Sequence, residues 1–322
     1  MAASADHIRA MVKSHGDGDD EAFYSVALQV AAKAARQGHH HFATDVKELV
    51  EAARQSKKAS NVTYIAQPRG ELADLVVASH PDVRLSDLVA PKNLRDSLVD
   101  VITEQRQRHS LMDHGFHPVH RLLLEGPPGT GKTMTASVLA HELDLPLLTI
   151  RLDSLLSKYL GETGSKLRLL FEAASDQRAV YLFDEFDALG GDRAGSDVGE
   201  ARRILNSFLL FLENTESESV IVAATNNRSI LDHALFRRFD LVLTYQMPST
   251  EDAVAVLKGR LGLMGKGVEW KAIQVPCDGL SHAELVKAAE AAAKGALLED
   301  SKCVATDDLV VALKERARAA GA

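Results

Sequence analysis

The sequence predicts an α/β fold, a three-layer parallel sheet with a small all-α lid domain and an N-terminal helical module. Three observations carry that expectation. Short apolar runs alternate with helical patterns through the middle of the chain, a glycine-rich loop follows one of those runs, and strand patterns stop after Pro248. Apolar runs of this kind, separated by helices, belong to parallel strands buried on both faces. With 322 residues, 46% of them apolar and 25% charged, the chain has the composition of an ordinary globular protein. Collagen-like, low-complexity and largely disordered architectures are excluded on that ground.

From the N-terminus, residues 5–56 read as helices. Phe23, Val26, Ala27, Val30, Ala31 and Ala34 share one helical face, and Val46, Leu49, Val50 and Ala53 repeat the spacing after Gly38. The acids of Asp17–Glu21 lie where the longer helix begins, the end at which its dipole favours negative charge. Residues 1–58 are therefore an N-terminal helical recruiting module, and 59–80, with weak periodicity, Pro68 and Gly70, a linker. Residues 81–247 carry the alternating pattern, with strands expected at Arg121–Leu124, Pro146–Ile150, Val180–Phe183, Val220–Ala224 and Leu241–Tyr245. Leu205, Phe208, Leu209 and Leu212 mark the clearest helix between them. Residues 248–322 form the lid. There Ser281 and Glu284 make a capping-box pattern ahead of an Ala-rich helix running towards Ala296. Thr306 opens another helix, which ends in Lys314, Arg316 and Arg318.

Gly126, Pro127, Pro128, Gly129, Thr130, Gly131, Lys132 and Thr133 match G-x-x-x-x-G-K-[ST] between a predicted strand and a predicted helix. Glycines let backbone N–H groups turn inward around phosphate oxygens, and the helix N-terminus adds its dipole. Lys132 reaches the β- and γ-phosphates in such a loop, and the Thr133 hydroxyl binds Mg²⁺. About 50 residues on, the run Val180–Asp187 ends an apolar strand in Asp184, Glu185 and Asp187. Asp184 can hold the same Mg²⁺, and Glu185 can polarise an attacking water. A nucleoside triphosphate and Mg²⁺ are the implied cofactors.

These residues resemble the AAA ATPases of the P-loop NTPase class, especially the katanin-like branch. The resemblance rests on the phosphate loop, the Phe183–Asp187 run, Ala224-Thr-Asn-Asn227 and Leu231–Asp240, and it covers about residues 81–318. It implies ATP with Mg²⁺, Asn226 as a sensor facing the γ-phosphate, and Arg237 and Arg238 as arginine fingers entering a neighbouring subunit. It further implies adenine contacts at Val89 and Ala90 and, from the lid stretch Gly279–Leu285, at Gly279 and Ala283. His282 departs from the pattern, because the family has a small residue there. Tyr159 and Leu160, followed by Gly161, resemble the pore loop with which protein-threading rings grip a polypeptide. Asp192 and Arg193 fall where a second pore-facing loop is expected, and Arg202 and Arg203 lie on a helix face that is either solvated or turned to a neighbour.

The expected function is an ATP-hydrolysing, hexameric homo-oligomeric ring that remodels or unfolds a protein recruited by residues 1–58. An ATP-gated regulator of a partner, acting without threading, is the alternative. The wording around His15, Gly16, Asp19, Phe23 and Gly38 resembles bacterial AAA proteins paired with subtilisin-like serine proteases, which makes such a protease a candidate partner. Net charge is −8, with the acidic surplus in 59–247 and a neutral balance in 1–58. No segment offers a basic stripe, so nucleic acid is not expected as a partner. No apolar run approaches the ~20 residues of a bilayer span. Cys277 and Cys303 suit a reducing, cytoplasmic setting, and no leader pattern opens the chain. His39–His41, and His114, His117 and His120, lack a metal-ligand pattern.

Overall fold

The computed structural model describes residues 20–36, 39, 43–44, 46–47, 50, 70–155, 160–189, 198–215, 217–227 and 233–321. The chain divides into two compact units, residues 1–64 and 65–322. In the first, helix α1 (Asp20–Arg36) buries Ala27, Val30, Ala31 and Ala34, the face its periodicity marks out. Val50 is also buried, in the second stretch of that spacing. The side chain of Phe23 lies outside the described residues.

The second unit holds a six-stranded sheet. Its elements are β1 (Val76–Ser79), α2 (Lys92–Arg106), β2 (Arg121–Glu125), α3 (Lys132–Glu142), β3 (Leu147–Ile150), α4 (Leu160–Asp176), β4 (Val180–Phe183), α5 (Val198–Asn214), β5 (Val220–Thr225) and β6 (Leu241–Thr244). Strand order is β1-β3-β4-β5-β2-β6. All neighbours are parallel except β1, which runs antiparallel to β3 with Val76 opposite Ile150. Residues 71–79 thus correct the expected linker. Glu71–Leu75 is one helical turn, Leu75 and Val76 are buried, and the following strand completes the edge of the sheet.

Period-2 alternation sends successive strand residues to opposite faces. Leu123, Leu148, Tyr181, Phe183, Ile221 and Ala223 meet α4 and α5 on one side. Leu122, Leu124, Val180, Leu182, Val220, Val222 and Ala224 meet α2 and α3 on the other. Both faces being covered, these strands read as continuous apolar runs. On the first side Phe208 lies edge-on to Phe183 at 5.0 Å and 4.8 Å from Phe186, which pins the end of β4 and the 3₁₀ turn Phe186–Leu189 that follows.

After β6 the chain becomes helical throughout: α6 (Thr250–Leu261), α7 (His282–Leu298) and α8 (Thr306–Ala320) surround a separate core of Leu257, Ile273, Leu285, Ala289, Leu309 and Leu313. Ser249 and Ser281 cap the first two, each hydroxyl accepting from the backbone N–H three residues on. Thr306 does open α8, though the capping position is Ala305. The Thr306 hydroxyl instead accepts from the Glu269 N–H at 2.9 Å. No described helix is long and apolar enough to cross a membrane.

Candidate active site

The phosphate loop leaves the C-terminal end of β2 and enters α3. Gly126 has φ +147°, and a Cβ there would stand 2.8 Å from that of Tyr245. Gly129 has φ +74°, and a Cβ would come within 2.6 Å of Ser281 Oγ. Both positions need glycine, for backbone conformation and for close approach. The loop is closed by its own hydrogen bonds. Thr130 Oγ1 donates to the Pro127 carbonyl at 2.8 Å, and Lys132 Nζ donates to the Gly126 and Pro127 carbonyls at 2.8 and 2.7 Å. Pro128 completes the turn between them. Burial lowers the Lys132 pKa, while the carboxylates of Asp184 and Asp187 act the other way and hold its charge. A buried ammonium resting on carbonyl dipoles, in a loop too tight for side chains, fits a polyphosphate.

At the end of β4 the Asp184 carboxylate accepts from Thr133 Oγ1 at 2.6 Å. A hydroxyl and a carboxylate converging beside a phosphate cradle are hard oxygen donors of the kind Mg²⁺ takes with its water shell. Glu185 follows with φ +51°, a left-handed conformation that costs a non-glycine residue roughly 1–2 kcal/mol. Its N–H donates to Asp184 Oδ1 at 2.9 Å, and its carbonyl accepts from Ala188 at 2.8 Å. This fold-back leaves the Glu185 side chain exposed beyond Asp184. Strain of this sort gathers at functional positions.

Asn226 is exposed just past the end of β5, the strand that pairs with the acidic strand through Phe183 opposite Ala223. The Asn226 N–H donates to Asp187 Oδ1 at 3.2 Å, and Thr225 Oγ1 donates to the same oxygen at 3.1 Å. Asp187 was legible as the third acid of its run, but its residue type alone discloses no task. The bond to the sensor corner comes only from the fold.

The lid meets the loop directly. The Ala283 N–H donates to the Gly129 carbonyl at 3.0 Å, which places the N-terminus of α7 against the phosphate loop. On the opposite flank Leu88 is the nearest atom set to Gly131, at 3.5 Å from where a Cβ would stand, and Val89 packs on the lid core. Of the residues expected around adenine, Ala283 touches the loop, Val89 packs on the lid core and Ala90 on the sheet core, while Gly279 takes a left-handed conformation (φ +74°) ahead of the Ser281 cap. His282 lies at this junction. Neither of its buried ring nitrogens makes a well-formed hydrogen bond, and burial lowers its pKa against the opposing pull of Asp252 and of a weak contact with the Val89 carbonyl.

Arg237 and Arg238 stand apart from this group, in the turn after the helical segment His233–Phe236. Arg237 is exposed, and Arg238 Nε pairs with Glu213 Oε1 of α5 at 2.7 Å. Tyr159, Asp192 and Arg193 lie outside the described residues, as do the side chains of Leu160 and Arg202. Arg203 is exposed. His114 and His120 turn Nδ1 to the carbonyls of Ser110 and Pro118.

Comparisons with known proteins agree with this geometry. The profile of the family described as "ATPase family associated with various cellular activities (AAA)" matches residues 122–247. An uncharacterized AAA family ATPase of Sinorhizobium fredii is 34% identical over 305 residues, covering 94% of this chain and 92% of its own. The proteasome-activating nucleotidases of Pyrococcus horikoshii and Methanosphaerula palustris are each 33% identical, over 208 and 204 residues. The chain spans about half the length of those nucleotidases, 52% and 50%. A phosphate loop on a mostly parallel sheet, an acidic strand end and a relative matched along nearly its whole length lead to one conclusion: the chain belongs to the AAA family of ATPases and hydrolyses ATP to ADP and phosphate.

Proposed function

We propose that this ATPase works as a homo-oligomeric ring of six copies, remodelling a polypeptide recruited by residues 1–58. The observation that carries the ring is the position of the arginine pair. The phosphate loop follows Glu125 at the C-terminal end of β2, whereas Asp240, two residues past Arg238, is bonded to Arg121 at the N-terminal start of that strand. Four residue steps of extended chain separate the two ends by roughly 13 Å. Arg237 and Arg238 are therefore tethered at the end of β2 away from their own phosphate loop, as residues acting on a neighbouring copy's site would be. A bidentate cation on the developing phosphoryl charge is worth most when it is fixed in place, and a neighbouring copy supplies that charge.

Within one site, Lys132 would exchange the Gly126 and Pro127 carbonyls for β- and γ-phosphate oxygens. Thr133 and Asp184 would hold Mg²⁺, which neutralises phosphate charge when bound. Glu185 takes the proton of the attacking water, and Asn226 orients that water. The proteasome-activating nucleotidases among the relatives support a protein as the substrate. The pairing with a subtilisin-like protease rests on the residue wording of the N-terminal module alone.

Subunit mixing tests the ring. Arg238→Ala and Glu185→Gln proteins should each be inactive. Mixed, they should regain turnover, because an intact Glu185 then sits beside a borrowed Arg238. Mixtures as inactive as the parents would mean that the arginines do not act between copies.

A further inference from the structure

The carboxylate of Asp187 ties together parts of the molecule that hydrolysis must keep in register. Its 3₁₀ turn is anchored on both sides, by Phe186 and Leu189, which are 0% and 1% exposed. From that fixed base Oδ1 accepts from Thr225 Oγ1 at 3.1 Å and from the Asn226 N–H at 3.2 Å. Thr225 is itself fully buried, and its hydroxyl accepts in turn from the Asn227 N–H at 3.1 Å. The Thr225 carbonyl accepts from the Gly126 N–H at 3.3 Å, so the same residue borders the phosphate loop. A single carboxylate oxygen thereby couples the turn that carries Glu185 to the corner that carries Asn226, and through Thr225 to the first residue of the loop.

We infer that Asp187 is a positioning residue for ATP hydrolysis: by accepting from Thr225 and the Asn226 amide, it sets the sensor side chain in register with Glu185. Two groups that act on one water must be held to within a fraction of an ångström, and the supporting hydrogen bonds decide whether they are. Asp187 also adds negative charge near Lys132, which Asp187→Ala and Asp187→Asn remove alike, so the contrast between them isolates what the role requires, an oxygen acceptor at Oδ1. Asn keeps that oxygen, and Ala removes it. This inference rests on the hydrolytic reading of Glu185 and Asn226.

The test compares Asp187→Ala with Asp187→Asn in the full chain. ATP affinity is read by titration in the Glu185→Gln background, where the nucleotide is not consumed. Asp187→Ala should lower kcat by ~10- to 100-fold, the scale of a misplaced catalytic group, with ATP affinity changed by less than about threefold. Asp187→Asn should recover most of the lost turnover. Three results would overturn the inference: wild-type kcat in Asp187→Ala, a loss of ATP affinity as large as the loss of kcat, or an Asn variant as slow as the Ala variant. If Asp187→Ala does not fold, Thr225→Val removes one donor from the same network and should also lower kcat while sparing ATP affinity. Unchanged turnover there would overturn the inference equally. Glu185→Gln alone separates the two levels, since hydrolysis by that protein would unseat Glu185 while leaving the Asp187 comparison readable.

Discussion

At the scale of single residues, Glu185 shows how chemistry and stability pull apart. Its φ of +51° holds the side chain clear of Asp184, at a conformational cost that a glycine would not bear. Glu185→Gln keeps the shape and loses the base, so kcat should fall by ~10²- to 10⁴-fold while ATP stays bound. Glu185→Gly should be equally inactive, yet about 0.5–1 kcal/mol more stable, once the entropy of a glycine is set against the relieved strain. Turnover by release of phosphate and stability by denaturant titration read the two effects separately. A Gly variant no more stable than the Gln variant would remove strain from the account. The identity of this residue was legible, because an acidic pair ending a buried apolar run has few other uses. Its backbone conformation was not, since nothing in the residue type announces a left-handed Glu.

At the scale of elements, the strands buried on both faces were legible from their apolar runs, and β4 agrees with its expected range end to end. β1 was not. It is four residues long, antiparallel, and leaves Val77 43% exposed, so it lacks the continuous apolar run that betrayed the others. Its place is set by pairing with β3, some 70 residues away in sequence. Long-range pairing of the same kind ties the segment after His233–Phe236 back to β2. Asp240 Oδ1 accepts from Arg121 Nε and Nη2 at 3.0 and 2.7 Å, and Oδ2 accepts from the His120 and Arg121 N–H groups at 3.1 and 2.9 Å. Burial alone would raise the Asp240 pKa, but these bonds outweigh it and hold the carboxyl below its ordinary value. The stabilisation is therefore present above the unfolded pKa near ~4 and is lost as pH falls through the lower folded value. Asp240→Asn should cost roughly 1.5–3 kcal/mol at pH 7, the worth of hydrogen bonds to a charged group. It should also flatten the decline in stability below pH ~4. Denaturant midpoints at pH 7 and pH 3.5 measure both, and an Asn variant as stable as wild type at pH 7 would contradict the clamp.

At the scale of the whole ATPase unit, the phosphate loop is shared ground between sheet and lid. Gly129 lies so close to Ser281 that the two can be joined only without a side chain, and the Ala283 N–H closes the contact. His282 stands in that joint with both ring nitrogens buried and neither in a well-formed hydrogen bond, and a buried polar group left so costs about 1–3 kcal/mol. The groups acting on its charge from the packed elements are Asp252 of α6 and the Val89 carbonyl. Both favour the imidazolium, yet burial dominates and keeps the folded pKa below the ordinary 6.5. The unfolded chain therefore takes up this proton before the folded chain does. Stability at the joint is intact above pH ~6.5 and declines as pH falls from there through the folded pKa. His282→Leu removes the titration and the unbonded nitrogens together. The variant should match or exceed wild type in thermal midpoint at pH 7.5, and its midpoint should drop less than the wild type's between pH 7 and pH 5. An identical drop in the two proteins would show that other groups carry the acid sensitivity. A lower midpoint for the variant at pH 7.5 would show that the imidazole earns its place by contacts other than hydrogen bonds.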